Sequence, residues 1–226
     1  MSTPLSSTPR TRLGRLPERA RTDRRDLYDV LDDGLVAHLG IAVDGHPVVV
    51  PTIYGRAGET LYLHGSTGSR SLRTAMSGAR VCVTVTHTDG LVLARSIFHH
   101  SVNYRSAVIY GTARPVVDST EKLDGLRTVS EHVAPGRWQA ARPPSRRELA
   151  ATLLLALPLD EASVKVRSGP PGDDDADLNR DVWAGVIPSR QVWDEPVPDP
   201  ALAPGTAVPE HVRRIAAGGH PPARPG

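Results

Sequence analysis

Apolar residues first recur at helical spacing over residues 23–33, where Leu27, Val30 and Leu31 share a face. Thr22 or Asp23 can cap that helix, and Gly34 can end it. From residue 35 the pattern shortens to strand-length runs. Residues 35–43 predict a strand, Asp44-Gly45 a hairpin turn, and residues 46–54 the return strand. Pro47 and Pro51 place that return near an edge or a bulge. Residues 61–64 predict a third strand, which runs into Gly65-Ser66-Thr67-Gly68-Ser69-Arg70. Leu72, Ala75 and Met76 then share a helical face, and Gly78 stands where that helix would stop.

The second half reads in the same way. Residues 80–86 predict a strand, Asp89-Gly90 a turn, and residues 91–94 a strand pairing back. Residues 103–117 predict a long strand bent at Gly111. Asp118 and Glu121 have capping spacing for a helix through Val133, with Leu123, Leu126 and Val133 inward. Residues 135–145 read as a loop. Residues 148–165 admit helix or strand; a helical start giving way to a strand from about Thr152 fits best. A Gly/Pro/Asp loop at 168–181, a last strand at 182–187 and a short helix at 208–217 complete the chain.

Seven or eight strands, few helices and no regular β–α–β alternation predict a mostly β protein. The architecture expected is an antiparallel β-barrel with peripheral helices. Three segments are expected: a flexible Arg-rich arm at 1–22, one domain at 23–190, and a proline-rich, partly disordered extension at 191–226.

Composition narrows the function classes. The 226 residues carry a formal charge of +2, too little to argue for nucleic acid. That charge is uneven: residues 10–25 hold seven arginines against two acids, and residues 168–200 hold eight acids against two arginines. No apolar run reaches the ~20 residues of a membrane span, and the first 25 residues lack the apolar core of a secretory leader. The single cysteine, Cys82, allows no disulfide within one chain, which matches a cytoplasmic setting, and it reads as a small buried hydrophobe. Heavy use of Arg, Ala, Asp and Pro matches a GC-rich bacterial coding sequence.

The strand–turn–helix at 61–76 is the first candidate for chemistry. Backbone N–H groups of the turn, the Ser66, Thr67 and Ser69 hydroxyls and the Arg70 guanidinium can converge on a phosphate. The alternative is a helix N-cap beside a solvated arginine. His99 and His100 would point to opposite faces of a strand, so no metal site is expected. Lys165 and Arg167 alternate onto one strand face, either as cations at a site mouth or as a solvated face.

Taken in order, several segments resemble the pyridoxamine 5′-phosphate oxidase-like, FMN-binding split-barrel family, in particular its branch of nitroimidazole reductases and flavin-nucleotide-binding proteins. They are Val50-Pro51-Thr52-Ile53-Tyr54, Leu61-Tyr62-Leu63-His64-Gly65-Ser66, Ser69-Arg70, Val81-Cys82-Val83-Thr84-Val85, and Asp89-Gly90-Leu91-Val92-Leu93-Ala94-Arg95-Ser96. His99-His100-Ser101-Val102-Asn103-Tyr104-Arg105-Ser106, Lys165-Val166-Arg167-Ser168-Gly169-Pro170-Pro171 and Trp183-Ala184-Gly185-Val186-Ile187-Pro188 follow.

The resemblance implies a Greek-key-like split barrel, a homodimer with cofactor sites at its interface, and bound FMN. Ser66, Ser69 and Arg70 would hold the phosphate. Pro51, Thr52, Ile53 and Tyr54 would lie along the isoalloxazine. His64 would line the active site, either as a proton-managing catalytic residue or as a lining residue that orients the turn. Tyr104, Arg105 and Ser106 would form the dimer-facing wall, where Arg105 would either reach the flavin phosphate or substrate or make a structural ion pair, and Lys165 and Trp183 would border the cofactor. The implied activity is reduction of a small electrophile, such as a nitroaromatic or a quinone. A deazaflavin-dependent reductase, or a non-enzymatic flavin- or haem-binding protein, is the alternative. Vitamin B6 oxidation is not expected: the family's C-terminal Arg-x-His motif is missing, and Glu210-His211-Val212-Arg213 does not replace it.

Overall fold

The computed structural model describes residues 4–218. In chain order its elements begin with β1 (Ala20–Arg21), α1 (Arg24–Asp33), β2 (Val36–Val43), β3 (His46–Ala57), β4 (Thr60–Ser66), α2 (Arg70–Met76) and β5 (Arg80–Leu93). There follow β6 (Ser101–Thr112), β7 (Arg114–Pro115), α3 (Ser119–Val133), α4 (Arg137–Ala140) and α5 (Arg146–Ala151). Last come β8 (Thr152–Pro158), β9 (Glu161–Arg167), β10 (Gly185–Pro188) and α6 (Glu210–Ala216). The chain divides into two compact units, Leu35–Val83 with Tyr110–Asp160 and Val192–Gly226, and Met1–Gly34 with Thr84–Ile109 and Glu161–Gln191. Strands β5 and β6 each begin in one unit and end in the other.

In the first of these units the strand order is β2-β3-β4-β8-β7. The β2–β3 hairpin closes through Asp44 and Gly45, both at positive φ (50° and 79°), as the Asp-Gly pair predicts. Along β2, Ala37, Leu39, Ile41 and Val43 are buried, while Val36, His38 and Ala42 face outward. Helix α3 starts on Asp118, whose side chain accepts the Glu121 N–H at 2.8 Å. It lies over the sheet at two glycines. A Cβ on Gly55 would stand 2.7 Å from Val129 backbone atoms, and one on Gly125 would meet Leu154 and Tyr62 at 2.6 and 3.0 Å. The absence of side chains there sets the depth at which α3 rests.

In the other unit β9, β6 and β5 are neighbours, with β1 on β9 and β10 on β5. Asp89-Gly90 does not turn the chain; β5 runs straight through it. Gly90 instead lets β10 approach, since a Cβ there would lie 2.8 Å from the Ile187 carbonyl oxygen. Residues 4–22, read from the sequence as an arm, are tied along β9. The Thr8 hydroxyl donates to Glu161 (2.5 Å), the Arg10 guanidinium reaches both Glu161 oxygens (3.0 and 2.6 Å), and the Ser6 hydroxyl accepts the Ala162 N–H (3.2 Å). The disorder expected at the end of the chain falls partly outside the described residues.

The acidic loop after β9 is clamped at Asp173. Its carboxylate, 1 % exposed, accepts the N–H groups of Arg95 (2.9 Å) and Ser96 (3.2 Å) and pairs with the Arg95 guanidinium (3.1 Å). Burial pushes this carboxyl up, but the two N–H groups and the guanidinium outweigh it and hold the pKa below 3.8. A depressed carboxyl stabilises the fold fully above its unfolded value and ceases to do so as pH falls through its folded value. Protection of the amides of residues 94–100, relative to their intrinsic exchange at each pH, is therefore expected to hold from neutral pH down to about 4 and to fall only in stronger acid. In Asp173→Asn the same amides should exchange fast at neutral pH.

Candidate functional site

In the unit that holds β2–β4, the turn after β4 presents Ser66, Ser69 and Arg70. Its backbone donors are engaged locally: Thr67 N–H bonds the Ala151 carbonyl (3.0 Å), Gly68 N–H the Ser66 hydroxyl oxygen (3.1 Å), and Ser69 N–H the Ser66 carbonyl (2.9 Å). Ser69 caps α2 by accepting the Leu72 N–H at 3.3 Å. The convergent free amides expected from the sequence are thus absent at 67–69. What remains is made of side chains. The Ser66 and Ser69 hydroxyls act as acceptors locally, which leaves each O–H available to donate. Arg70 is 68 % exposed and already grips an anion, the carboxylate of Asp44 at the tip of the β2–β3 hairpin. The sequence shows Asp44 only as a turn residue; its meeting with Arg70 depends on the hairpin's tertiary position.

Strand β3 changes partners midway, pairing with β2 through Ile53 and with β4 from Tyr54 onward. Its edge away from β2 has no ladder partner over 46–53 among the described residues. Pro51 and Ile53 are exposed, and Thr52 is half-buried with its hydroxyl donating to the Ile53 carbonyl (3.1 Å). These three residues offer open backbone to a planar polar edge. Tyr54 departs from the expectation. It is fully buried, with its ring centroid 4.8 Å from that of His132, so it packs in the core rather than along a cofactor.

His64 stands on β4 opposite Leu154 of β8 and shares a sheet face with Tyr62. Its Nδ1 is buried without a hydrogen-bond partner among the described residues. Burial lowers its pKa below 6.5, so the imidazole is neutral at pH 7. A neutral ring with an unengaged nitrogen can take a proton or bind a metal centre. Tyr62, two residues before it, donates to Glu121 at 3.4 Å.

The other expected site residues lie in the second unit and are largely engaged. Arg105 donates to Asp33 (2.7 Å) and to Asp89 (3.2 Å), and these bonds outweigh the cost of burying its charge. Of the two readings of this arginine, the structure shows the ion pair. The Ser106 hydroxyl meets that of Thr86 (3.0 Å), and Lys165 donates to the Arg15 carbonyl (3.3 Å). Arg167 bonds the Asn103 side chain and the Pro170 carbonyl (3.1 Å), which fixes it to the loop. Tyr104 is half-buried. Trp183 is 66 % exposed, with its ring against Gly185. His100 accepts the Ala94 N–H (3.1 Å) and His99 lies 3.3 Å from Asp174. Among the described residues no cluster of His, Cys, Asp and Glu suits a metal ion, and no helix is long and apolar enough to cross a membrane.

Comparison with known proteins sets this geometry in a family. The model of the pyridoxamine 5′-phosphate oxidase family matches residues 23–166. No curated protein sequence matches significantly. Among solved structures, the chain is similar to the FAD and haem binding protein from Mycobacterium smegmatis, with 41 % identity over 86 % of this chain and 96 % of that one, at a TM-score of 0.83. It is also similar to the flavocytochrome Anf3 from Azotobacter vinelandii, with 37 % identity over 93 % and 98 % of the two chains and a TM-score of 0.88. A candidate 5-nitroimidazole antibiotic resistance protein from Bacteroides thetaiotaomicron shares the fold, at 22 % identity over 65 % and 86 % of the chains and a TM-score of 0.56. The mostly antiparallel strands are those of a split barrel, and the chain belongs to the pyridoxamine 5′-phosphate oxidase-like family of flavin- and haem-binding proteins.

Proposed function

We propose that this protein is a flavin-dependent oxidoreductase that also carries a haem, and that it takes electrons from an external reductant, which loads the flavin, and passes them to a small electrophile such as a quinone or a nitroaromatic. The observation that carries this reading is the presence, within one unit, of an arginine that already grips an anion and a neutral histidine whose Nδ1 has no hydrogen-bond partner among the described residues. The first suits a flavin nucleotide's phosphate and the second suits haem iron or a proton-transfer step. Two relatives of about 40 % identity over nearly the whole chain, one an FAD and haem binding protein and one a flavocytochrome, support both cofactors. FMN or FAD would serve equally at a seat that reads phosphate.

When bound, the flavin supplies hydride and single-electron chemistry, and the haem supplies one-electron chemistry. The chain's own residues supply the rest. Arg70 would fix the phosphate by a forked pair of donors, with Ser66 and Ser69 adding hydroxyls. The unpaired edge of β3 at Pro51–Ile53 would meet the polar rim of the ring system. His64, neutral at working pH, would hold or move a proton, or bind iron through its free lone pair. Any haem would be held without a pair of thioether bonds, because two of them need two cysteines and the chain has one.

A homodimer is part of this reading. The outward face of the β2–β3 hairpin exposes Val36 (47 %), Val49 (66 %) and Ile53 (38 %), with Ile53 directly opposite Val36 in the ladder, an apolar strip suited to a partner. A cytoplasmic setting is proposed from the single thiol.

His64→Ala separates the two cofactors. Hemin titration is expected to give an intense Soret band in the parent protein and at least tenfold weaker binding in the variant. Flavin retention should be unchanged. An unaltered Soret band in His64→Ala would remove His64 from the haem site.

A further inference from the structure

The two cations of β9, Lys165 and Arg167, have no carboxylate partner among the described residues. Arg10, Arg95 and Arg105 of the same unit each grip one: Glu161, Asp173, and Asp33 together with Asp89. Arg167 is held by neutral acceptors instead. Its guanidinium donates to the Asn103 side-chain oxygen, the Gly169 carbonyl (3.3 Å) and the Pro170 carbonyl (3.1 Å). Its Nε is buried with no hydrogen-bond partner among the described residues. The β1–β9 ladder sets Ala20 opposite Lys165, which brings Arg19, the last residue of a single turn at Pro17–Arg19, alongside the 165–167 segment. Arg19 is half-buried, and its side chain makes no hydrogen bond or ion pair among the described residues. Lys165 donates to the Arg15 carbonyl, which is also neutral. Glu18, next to Arg19 in sequence, is exposed and pairs with none of the three among the described residues.

Like charges gathered without a counter-charge destabilise the protein that holds them, and more so as water is withdrawn. Arg167 shows the effect: burial and then the charge of Arg19 lower its pKa, with the Tyr104 phenol acting the other way. On a solvated cationic face each side chain swings freely into water. Here one guanidinium is pinned by three acceptors beside a second one, an arrangement that needs little reorganisation to take an anion. Guanidinium forks match the paired oxygens of carboxylate and phosphate. Asp174 and Asp175, exposed on the loop that follows Arg167, disfavour a polyanion such as nucleic acid, so the ligand is small. We propose that Arg19, Lys165 and Arg167 form a binding site for an anionic small molecule, which they hold through a carboxylate or a phosphate. Arg70 and His64 belong to the other unit, and nothing in this site depends on a bound flavin or haem.

Isothermal titration calorimetry at low ionic strength, with inorganic pyrophosphate and with citrate as probes, tests it on the parent chain, Arg19→Gln, Arg19→Gln/Arg167→Gln and Arg70→Ala. The parent is expected to bind at least one probe with a dissociation constant below about 1 mM. Arg70→Ala should keep a site of that affinity, Arg19→Gln should bind at least tenfold more weakly, and the double variant should show no saturable binding. A preference for pyrophosphate marks a phosphate ester as the ligand, and a preference for citrate marks an organic acid. A parent that binds neither probe, or a double variant that binds like the parent, would overturn the site. Binding lost in Arg70→Ala and kept in the double variant would also overturn it, and would leave the phosphate seat at Arg70 intact. Should the double variant fail to fold, Arg19→Gln, whose side chain has no bond to lose, decides: parent-like binding there would overturn the site equally.

Discussion

Arg70→Ala is expected to weaken flavin nucleotide retention by roughly one to two orders of magnitude, because a forked, charge-assisted pair of bonds to phosphate is worth about 1.5–3 kcal/mol. The effect should be specific in three ways. Riboflavin, which lacks the phosphate, should bind the parent and the variant alike. Circular dichroism should not change, because Arg70 is exposed and its ion partner Asp44 is an exposed hairpin-tip residue. Hemin binding should persist. Equilibrium dialysis with FMN, FAD and riboflavin checks all of this. Equal FMN and FAD retention by parent and variant would show that the phosphate sits elsewhere.

Gly55→Val is expected to produce the largest loss of stability in the chain. The new Cβ would stand 2.7 Å from the Val129 backbone, and no rotamer of the incoming side chain relieves a clash between backbone atoms and a Cβ. Overpacking of this kind costs about 3 kcal/mol, equivalent to a drop of roughly 6–12 °C in melting temperature for a chain of this size. Helix α3 would have to lift from the face that Gly55 shares with Tyr62, its ladder partner. His64 lies on that same face two residues along β4, so haem binding should weaken together with stability. Thermal melts followed by hemin titration test both. A melting temperature within 2 °C of the parent would show that α3 is seated less rigidly than its glycine contacts imply.

Both variants act on elements that the sequence displays clearly. Asp44-Gly45 marked a hairpin, Asp118 marked the start of α3, and the change from helix to strand near Thr152 appears at that residue. These are local signals, fixed by caps, turn chemistry and periodicity. Gly90 was misleading because glycine serves both turns and close approach: here it admits the Ile187 carbonyl while the strand continues. Tyr54 misled in a related way, since an alternating strand does not reveal that one aromatic ring will reach His132 in the core.

The candidate site was legible to the level of residue type but not of partnership. Ser69, Arg70 and His64 could be singled out from one strand–turn–helix segment. The carboxylates that hold the cations could not: Asp44 reaches Arg70 across a hairpin, Asp33 and Asp89 reach Arg105 from 72 and 16 residues away, and Asp173 reaches Arg95 from 78. Such pairs are set by tertiary placement, and a count of charges along the chain does not contain them.

The absorbance spectrum of the purified protein, recorded after incubation with FAD, FMN and hemin and removal of free cofactor by gel filtration, tests the central claim most directly. The account requires flavin bands and a Soret band to travel together with the protein, with dithionite reduction bleaching the first and shifting the second. A protein that emerges colourless from all three incubations would contradict it.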